Sequence, residues 1–219
     1  MVAKTKNVNR KRSRPVEPKN SFLNFKIIGI IAIIAIIIIS VYFIFISFDS
    51  NDSDNNDQNP IAIIDTNKGI IQLELFEDKV PNTCENFIKL ANDGFYDGMN
   101  FYRISDNFMI QAGRFFPDGS ESQSPYENIE FEIHEDVKHV DGAISMASTG
   151  AGVGGSAEFF ICDGEQSFLD GNYAPFGVVS EGFDVLRDIA DDPHDNSNPA
   201  GGGRPLEDII INSITIEYQ

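Results

Sequence analysis

The sequence predicts a mainly β domain, a closed or nearly closed antiparallel β-barrel capped by helices, that follows one transmembrane helix. Two observations predict the domain: about eight short β-like runs follow residue 60, and only two short runs have helical periodicity. A third observation, the absence of any charge from residue 27 to residue 48, predicts the membrane segment. The 219 residues therefore hold one globular domain with appendages.

The first 26 residues are basic, polar and interrupted by two prolines, which predicts a disordered segment. They hold eight of the 16 lysines and arginines and one of the 34 acidic residues, so residues 27–219 carry a net charge of −25. A body this acidic repels phosphate backbones, and we therefore expect no nucleic-acid partner. The charge is interpreted as favouring solubility.

Residues 27–48 are long and apolar enough for a single helix to cross a lipid bilayer. Cations precede this run and aspartates follow it, so the positive-inside rule predicts a cytoplasmic N-terminus and an extracytoplasmic body. A cleaved signal peptide is the alternative, although its apolar core is usually shorter and ends in a small-residue cleavage site. The polar, low-complexity composition of residues 49–60 predicts an acidic flexible linker. Residues 61–219 are predicted to form the folded domain.

The elements of the folded domain follow from alternation, periodicity and turn residues. Strands at 61–66 and 69–76 are joined by a tight turn. Pro81 begins a helix at its first position, and apolar residues recur at helical spacing until Gly94. The remaining predicted elements are two strand pieces within 101–113 joined at 105–107, strands at 129–133, 143–147, 158–162 and 176–179, a helix at 183–190 and a strand at 209–216.

The sequence holds only weak matches to dinucleotide-binding, zinc-binding and disulfide motifs. Gly150, Gly152 and Gly155 have dinucleotide-binding spacing but run into a strand-like segment instead of a helix. His134 and His139 are five positions apart, which does not place them on one helix face as zinc ligands. The two cysteines are too few for a disulfide framework, and their apolar neighbours favour free thiols. We expect neither a metal nor a cofactor.

The stretch 101–113, FYRISDNFMIQAG, holds a single cation among apolar residues. If it forms two strand pieces, Arg103, Met109 and Gln111 share a face, because side chains alternate along a strand. An arginine set among aromatic and aliphatic side chains suits a reaction that needs neither proton transfer nor a covalent step. The alternative is an arginine that only carries its charge out to solvent.

The segments FYRISDNFMIQAG, GAISMAS, SAEFFIC, FLDGNYAPFGVV and IIINSITI resemble, in order and spacing, the cyclophilin family of peptidyl-prolyl cis–trans isomerases. The resemblance covers 61–216. It implies an eight-stranded antiparallel β-barrel capped by two α-helices, and an enzyme that isomerises X-Pro bonds and assists folding. We expect a monomer that acts on proline-containing polypeptides outside the cytoplasm and is held to the lipid bilayer through 27–48. A proline-binding module with little or no catalysis is the alternative.

The resemblance also assigns roles to residues. It implies that Arg103 is the catalytic arginine and that Gln111 is the catalytic amide, which contacts the substrate backbone. The implied substrate-binding residues, including the wall of the proline pocket, are Phe108, Met109, Ala147, Ser148, Glu158, Phe160, Phe168, Leu169 and Tyr173.

Four of these positions depart from the family pattern. Ser148 stands where many members have Asn, Glu158 where Gln is usual, Phe168 where Trp is usual, and Tyr173 where His is usual. The departure at Glu158 places a carboxylate near the site, where it is expected to pair with Arg103. Under that hypothesis, Glu158→Gln would raise turnover.

Overall fold

The structure is a computed structural model that describes residues 59–218. Its eight strands are β1 (Ile61–Thr66), β2 (Gly69–Leu75), β3 (Arg103–Ser105), β4 (Met109–Ala112), β5 (Ala143–Met146), β6 (Phe159–Cys162), β7 (Ala174–Glu181) and β8 (Ile211–Glu217). Its helices are α1 (Pro81–Asn92) and α2 (Phe183–Ala190). The basic segment, the predicted membrane span and nearly all of the linker lie outside the described residues. Between residues 59 and 218, no helix is long and apolar enough to span a bilayer.

The strands form one antiparallel sheet in the order β3-β4-β6-β5-β7-β2-β1-β8, which curves into a half-barrel with the two helices. Within residues 59–218, the two ends of the sheet are linked by a few backbone hydrogen bonds. Phe101 N donates to Ile209 O at 2.9 Å, and Ile211 N donates to Met99 O at 2.8 Å. The predicted eight-stranded antiparallel sheet with two helices is therefore confirmed. The end strands β3 and β8 do not pair with each other, and β3 is only three residues long.

The main core lies between the sheet and the helices. Phe87 of α1 packs edge-on against Phe159 of β6, with ring centroids 5.4 Å apart, and lies 5.2 Å from Phe176 of β7. Cys84 and Cys162 are both buried free thiols, as expected. Burial raises the pKa of Cys162 to about 12, so this thiol stays protonated and behaves as a small hydrophobe.

A second, smaller apolar cluster occupies the opposite face of β4 and β6. The alternation along β6 divides its residues between the two clusters. Phe159 and Ile161 face the main core, whereas Phe160 and Cys162 join Met109 of β4 in the second cluster. All four residues of β6 are buried as a result. This second face carries the candidate site.

The predicted strand at 129–133 is wrong. Ile129 makes one backbone hydrogen bond, from its N to Gly155 O at 3.0 Å, but no ladder forms along the segment. The segment instead brings the Glu132 carboxylate to the start of α1. There it accepts hydrogen bonds from Thr83 N at 2.8 Å and Thr83 Oγ1 at 2.7 Å. Glu132 thus satisfies free donors at a helix end, where negative charge is favourable.

Strand β7 extends beyond the predicted 176–179 at both ends, and its added N-terminal part includes Pro175. Proline cannot donate to a ladder, so it argues against a central strand. In the sheet, Pro175 lies opposite Ser145, next to a register shift between Ile144 and Ser145. A proline is tolerated at such an irregularity. The other elements predicted within residues 61–219 are present, with ends displaced by a few residues.

Candidate functional site

A cleft of about 140 Å³ opens on the second face of the sheet. Nine of the eleven residues predicted for the site line it: Arg103, Phe108, Met109, Gln111, Ala147, Ser148, Phe160, Leu169 and Tyr173. The other two lie nearby. Phe168 is 66% exposed and stacks on Phe108, with centroids 6.0 Å apart, so it forms part of the rim. Glu158 lines an adjoining groove of about 770 Å³, which shares Arg103 and Gln111 with the cleft.

The strand register brings the key residues into one row. Arg103 of β3 lies opposite Gln111 of β4, and Gln111 lies opposite Phe160 of β6. Side chains of directly opposed residues point to the same face of a sheet and lie close together. A cation, an amide and an aromatic ring therefore follow one another across three strands. The predicted common face of Arg103, Met109 and Gln111 is confirmed.

The Arg103 guanidinium is held by several acceptors. Its Nε and Nη2 donate to Gly201 O at 3.2 and 3.0 Å, and Nη2 also donates to Ala200 O at 3.3 Å. Its Nη1 donates to Gln111 Oε1 at 3.4 Å. The other N–H of Nη1 has no acceptor within residues 59–218. Burial lowers the pKa of Arg103, but a guanidinium keeps its charge in proteins.

Apolar side chains form the rest of the cleft. Phe160 is only 6% exposed, and Tyr173 meets its ring edge-on with centroids 5.8 Å apart. Met109 and Leu169 belong to the same cluster. Phe108 lies under the guanidinium, with Arg103 Cζ 5.5 Å from its ring centroid. The cleft therefore combines a compact apolar surface with a cationic donor at one edge.

The expected pairing of Glu158 with Arg103 is wrong. Glu158 Oε2 accepts hydrogen bonds from the Tyr102 hydroxyl at 2.5 Å and from Gln111 Nε2 at 3.3 Å. Its Oε1 lies 3.5 Å from Arg114 Nη1. Gln111 stands between the carboxylate and Arg103, with its oxygen toward the guanidinium and its nitrogen toward Glu158. Because a carboxylate can only accept, Glu158 fixes this orientation of the amide.

This geometry predicts that Glu158→Ala lowers kcat/KM by roughly five- to tenfold, since the net loss of one intramolecular hydrogen bond at a partly exposed site is worth about 1–1.4 kcal/mol. Glu158→Gln, which can still accept, is expected to lower it by less than about threefold. The matched control is Glu121→Ala. Glu121 lies 3.3 Å from Arg114 but is not hydrogen-bonded to Gln111, so its loss should leave kcat/KM unchanged. A rise in turnover in either Glu158 variant would restore the competition hypothesis.

His139 was not predicted as part of the site. Its buried ring stacks on Phe160, with centroids 5.9 Å apart and an angle of 8° between the planes. Nδ1 lies 2.8 Å from Asp170 Oδ1, and Nε2 lies 3.0 Å from Ser145 Oγ. These are the residue types of a hydrolase triad, but Ser145 is fully buried, so the group supports the aromatic floor instead. Burial lowers the pKa of His139.

The contact between His139 and Asp170 was hard to predict from the sequence, because 31 positions separate the two residues. Within the part of the chain that the structure describes, no group of His, Cys, Asp and Glu side chains is arranged to hold a metal ion.

Known proteins of one family match the folded domain. The family model described as cyclophilin type peptidyl-prolyl cis–trans isomerase matches residues 61–216. A peptidyl-prolyl cis–trans isomerase of Synechococcus elongatus is 42% identical over 130 residues, which cover 58% of this chain and 87% of that protein. One from Arabidopsis thaliana is 39% identical over 155 residues, which cover 70% of this chain and 93% of that protein.

Solved structures agree with the sequence relatives. A crystal structure of a cyclophilin type peptidyl-prolyl cis–trans isomerase from Cryptosporidium parvum aligns with a TM-score of 0.62 and 29% identity, and covers 73% of this chain and 98% of that chain. A second structure of that protein, determined in the presence of the dipeptide Ala-Pro, aligns with the same TM-score and covers 99% of that chain.

Proposed function

The chain belongs to the cyclophilin family of peptidyl-prolyl cis–trans isomerases, and on that premise we propose that it isomerises X-Pro bonds at the cleft beside Arg103, in protein substrates outside the cytoplasm. The observation that carries the site is the row of Arg103, Gln111 and Phe160, a cationic donor and an amide bordering an apolar floor. The substrate class follows from that floor and from the relative that was crystallised in the presence of Ala-Pro.

The reaction needs a donor more than it needs an acid, a base or a nucleophile. Resonance of the C–N bond sets a barrier of about 18–20 kcal/mol to rotation. Twisting the bond breaks this resonance and leaves a lone pair on the proline nitrogen. A donor placed at that nitrogen stabilises the twisted form more than either planar form, which is the condition for catalysis. The N–H of Arg103 Nη1 that has no acceptor in residues 59–218 is the proposed donor.

The remaining cleft residues hold the substrate. Phe160, Met109 and Leu169 provide an apolar surface for the proline ring. A cleft of about 140 Å³ is far smaller than the roughly 300–1,000 Å³ of sites for drug-sized ligands, and it suits a single small ring. Gln111 has one N–H toward Glu158, and its other N–H, which has no acceptor within residues 59–218, can bond a substrate carbonyl. Low local dielectric strengthens each of these hydrogen bonds.

A protease-coupled assay tests the function directly. The purified full chain, kept in detergent, is added to a peptide whose X-Pro bond is cleaved only in the trans form. We expect the slow cis fraction to be consumed at a rate proportional to the amount of enzyme. A binding module would give a measurable affinity for the same peptide with no acceleration. Glu158, the residue that favours this alternative, accepts hydrogen bonds from Tyr102 and Gln111 and not from Arg103.

We also propose that residues 27–48 anchor the protein, with the folded body on the extracytoplasmic side. The sequence supports this through the uncharged run, the cations before it and the aspartates after it. The protein is expected to stay with membranes through an alkaline wash, and protease should reach the body only from the extracytoplasmic side of sealed vesicles. Release of a shortened, soluble protein would favour a cleaved signal peptide instead.

A further inference from the structure

The glycine-rich loop 198–203, between α2 and β8, meets Arg103 although nearly a hundred positions separate them in the sequence. Of the four hydrogen bonds that the guanidinium makes within residues 59–218, three go to the carbonyls of Ala200 and Gly201. We propose that this loop is the positioning element of the active site, and that it orients toward the proline nitrogen the N–H of Arg103 Nη1 that has no acceptor within residues 59–218. The inference deepens the proposed function, because it rests on Arg103 being the donor.

The loop is joined directly to the strand that carries the arginine. Ile104, the neighbour of Arg103 in β3, exchanges both backbone hydrogen bonds with Gly203, at 2.9 Å and 3.0 Å. The loop therefore extends the sheet beside β3, and its carbonyls have a fixed place relative to the guanidinium. A shift of the loop would carry those acceptors away from Arg103.

The loop is also braced from within. Asp195 Oδ1 accepts hydrogen bonds from Ser197 N at 3.0 Å and from Arg204 N at 2.9 Å, so one carboxylate ties together the two ends of the segment. Asn198 Oδ1 accepts from Ala200 N at 2.9 Å, and Asn198 O accepts from Gly201 N at 3.0 Å. These bonds orient the carbonyls that face Arg103.

Carbonyl acceptors suit this task. They restrain the side chain, which otherwise has about 2 kcal/mol of rotamer freedom, without neutralising its charge. A carboxylate in the same place would compensate the positive charge that the transition state needs. The aromatic ring of Phe108, 5.5 Å from Cζ, restrains the guanidinium on a further side and leaves the charge intact.

Gly202 makes the close approach possible. Its φ of +73° lies in the left-handed region, and a Cβ there would lie 2.0 Å from Ile104 O and 2.7 Å from Ser105 Cβ. The backbone of β3 cannot retreat easily, since it pairs with β4. An alanine at 202 must therefore move the loop off β3, and the acceptors of Arg103 move with it.

The test is Gly202→Ala against Gly119→Ala. Gly119 also has a left-handed φ, +84°, but a Cβ there would meet nothing within 4 Å, so the control carries the same backbone strain without the displacement. In the protease-coupled assay, Gly202→Ala is expected to lower kcat roughly tenfold with KM for the X-Pro peptide unchanged, because misplacement of a catalytic group costs rate more than binding. The control should match the parent protein. Unchanged kcat in a folded Gly202→Ala variant would overturn the proposal.

A double-mutant cycle separates positioning from general damage. If the loop acts through Arg103, Gly202→Ala should cause no further loss in an Arg103→Ala background, whereas independent effects would multiply. Multiplied losses would overturn the proposal.

Should Gly202→Ala fail to fold, Asp195→Ala takes its place in the same cycle. Its side chain is exposed, and its loss removes the brace without adding a clash. Full activity in Arg103→Ala alone would reject Arg103 as the donor of the proposed function, and an inactive Arg103→Ala beside a fully active loop variant would reject only the positioning role.

Discussion

Arg103→Ala is expected to lower kcat/KM by roughly 10²–10³-fold, the range measured when a single preorganised transition-state donor is removed. The free energy of unfolding should change little. The acceptors of Arg103 are two solvent-accessible backbone carbonyls and the side chain of Gln111, and water can replace the guanidinium at each. The protease-coupled assay and urea unfolding of the same preparations measure the two quantities.

Arg103→Lys is the matched variant for this prediction. It keeps the charge but replaces a rigid planar fork with a flexible ammonium that cannot bond the two loop carbonyls and Gln111 together. We expect it to recover only a small part of the lost activity. Near-normal turnover in a folded Arg103→Ala protein would move the chemistry to another part of the cleft, and a fully active Arg103→Lys would show that charge matters and geometry does not.

The common face of Arg103, Met109 and Gln111 was predictable because it depends on local alternation. Side chains in a strand repeat every second residue, so a turn at 105–107 was enough to place the three residues together. The pairing register of β3 with β4 then brings Arg103 and Gln111 together, since the two residues are directly opposed. The roles of these residues came from the family resemblance and not from the pattern, which left open an arginine that simply reaches solvent.

The contacts that tune the site were not predictable, because each depends on long-range register. Glu158 was expected near Arg103, and it is near, but the pairing of β4 with β6 places Gln111 between them. The loop carbonyls that hold Arg103 come from a polar segment with no pattern of its own. Backbone acceptors of this kind leave no trace in the identity of side chains.

The wrong strand at 129–133 has the same origin. The segment alternates apolar and acidic residues, which is the pattern of a half-buried strand. A strand also needs a neighbouring strand with which to pair. Among the described residues, the backbone of Ile129 bonds only to the carbonyl of Gly155. The acidic residue at position 132 has a separate use, because it caps α1.

Two adjacent phenylalanines of β6 should respond in opposite ways to truncation. Phe159 is fully buried and meets Phe87 and Tyr96 edge-on, with centroids 5.4 and 5.3 Å away. Phe159→Ala therefore leaves a closed cavity, and it is expected to lower the free energy of unfolding by about 3–5 kcal/mol. Because Phe159 faces away from the cleft, kcat/KM per folded molecule should stay within about threefold of the parent.

Phe160→Ala should instead have a smaller effect on the free energy of unfolding and a larger effect on kcat/KM. Phe160 opens onto the cleft, so water can fill the space and the cost in unfolding free energy should stay below about 3 kcal/mol. The proline ring loses its floor, however, and the ring of His139 loses its stacking partner. We expect kcat/KM to fall roughly 10²-fold, because a poorly seated substrate loses alignment with the Arg103 donor.

Urea unfolding gives the first quantity for both variants, and the protease-coupled assay below the unfolding transition gives the second. Phe159→Leu and Phe160→Leu serve as matched partners that retain apolar bulk, and each should lie between its alanine variant and the parent. Equal destabilisation by the two alanine variants, with activity kept in Phe160→Ala, would mean that the two faces of β6 are assigned the wrong way round. Opposite responses from neighbouring residues would follow only from a strand whose alternate side chains separate the core from the catalytic cleft.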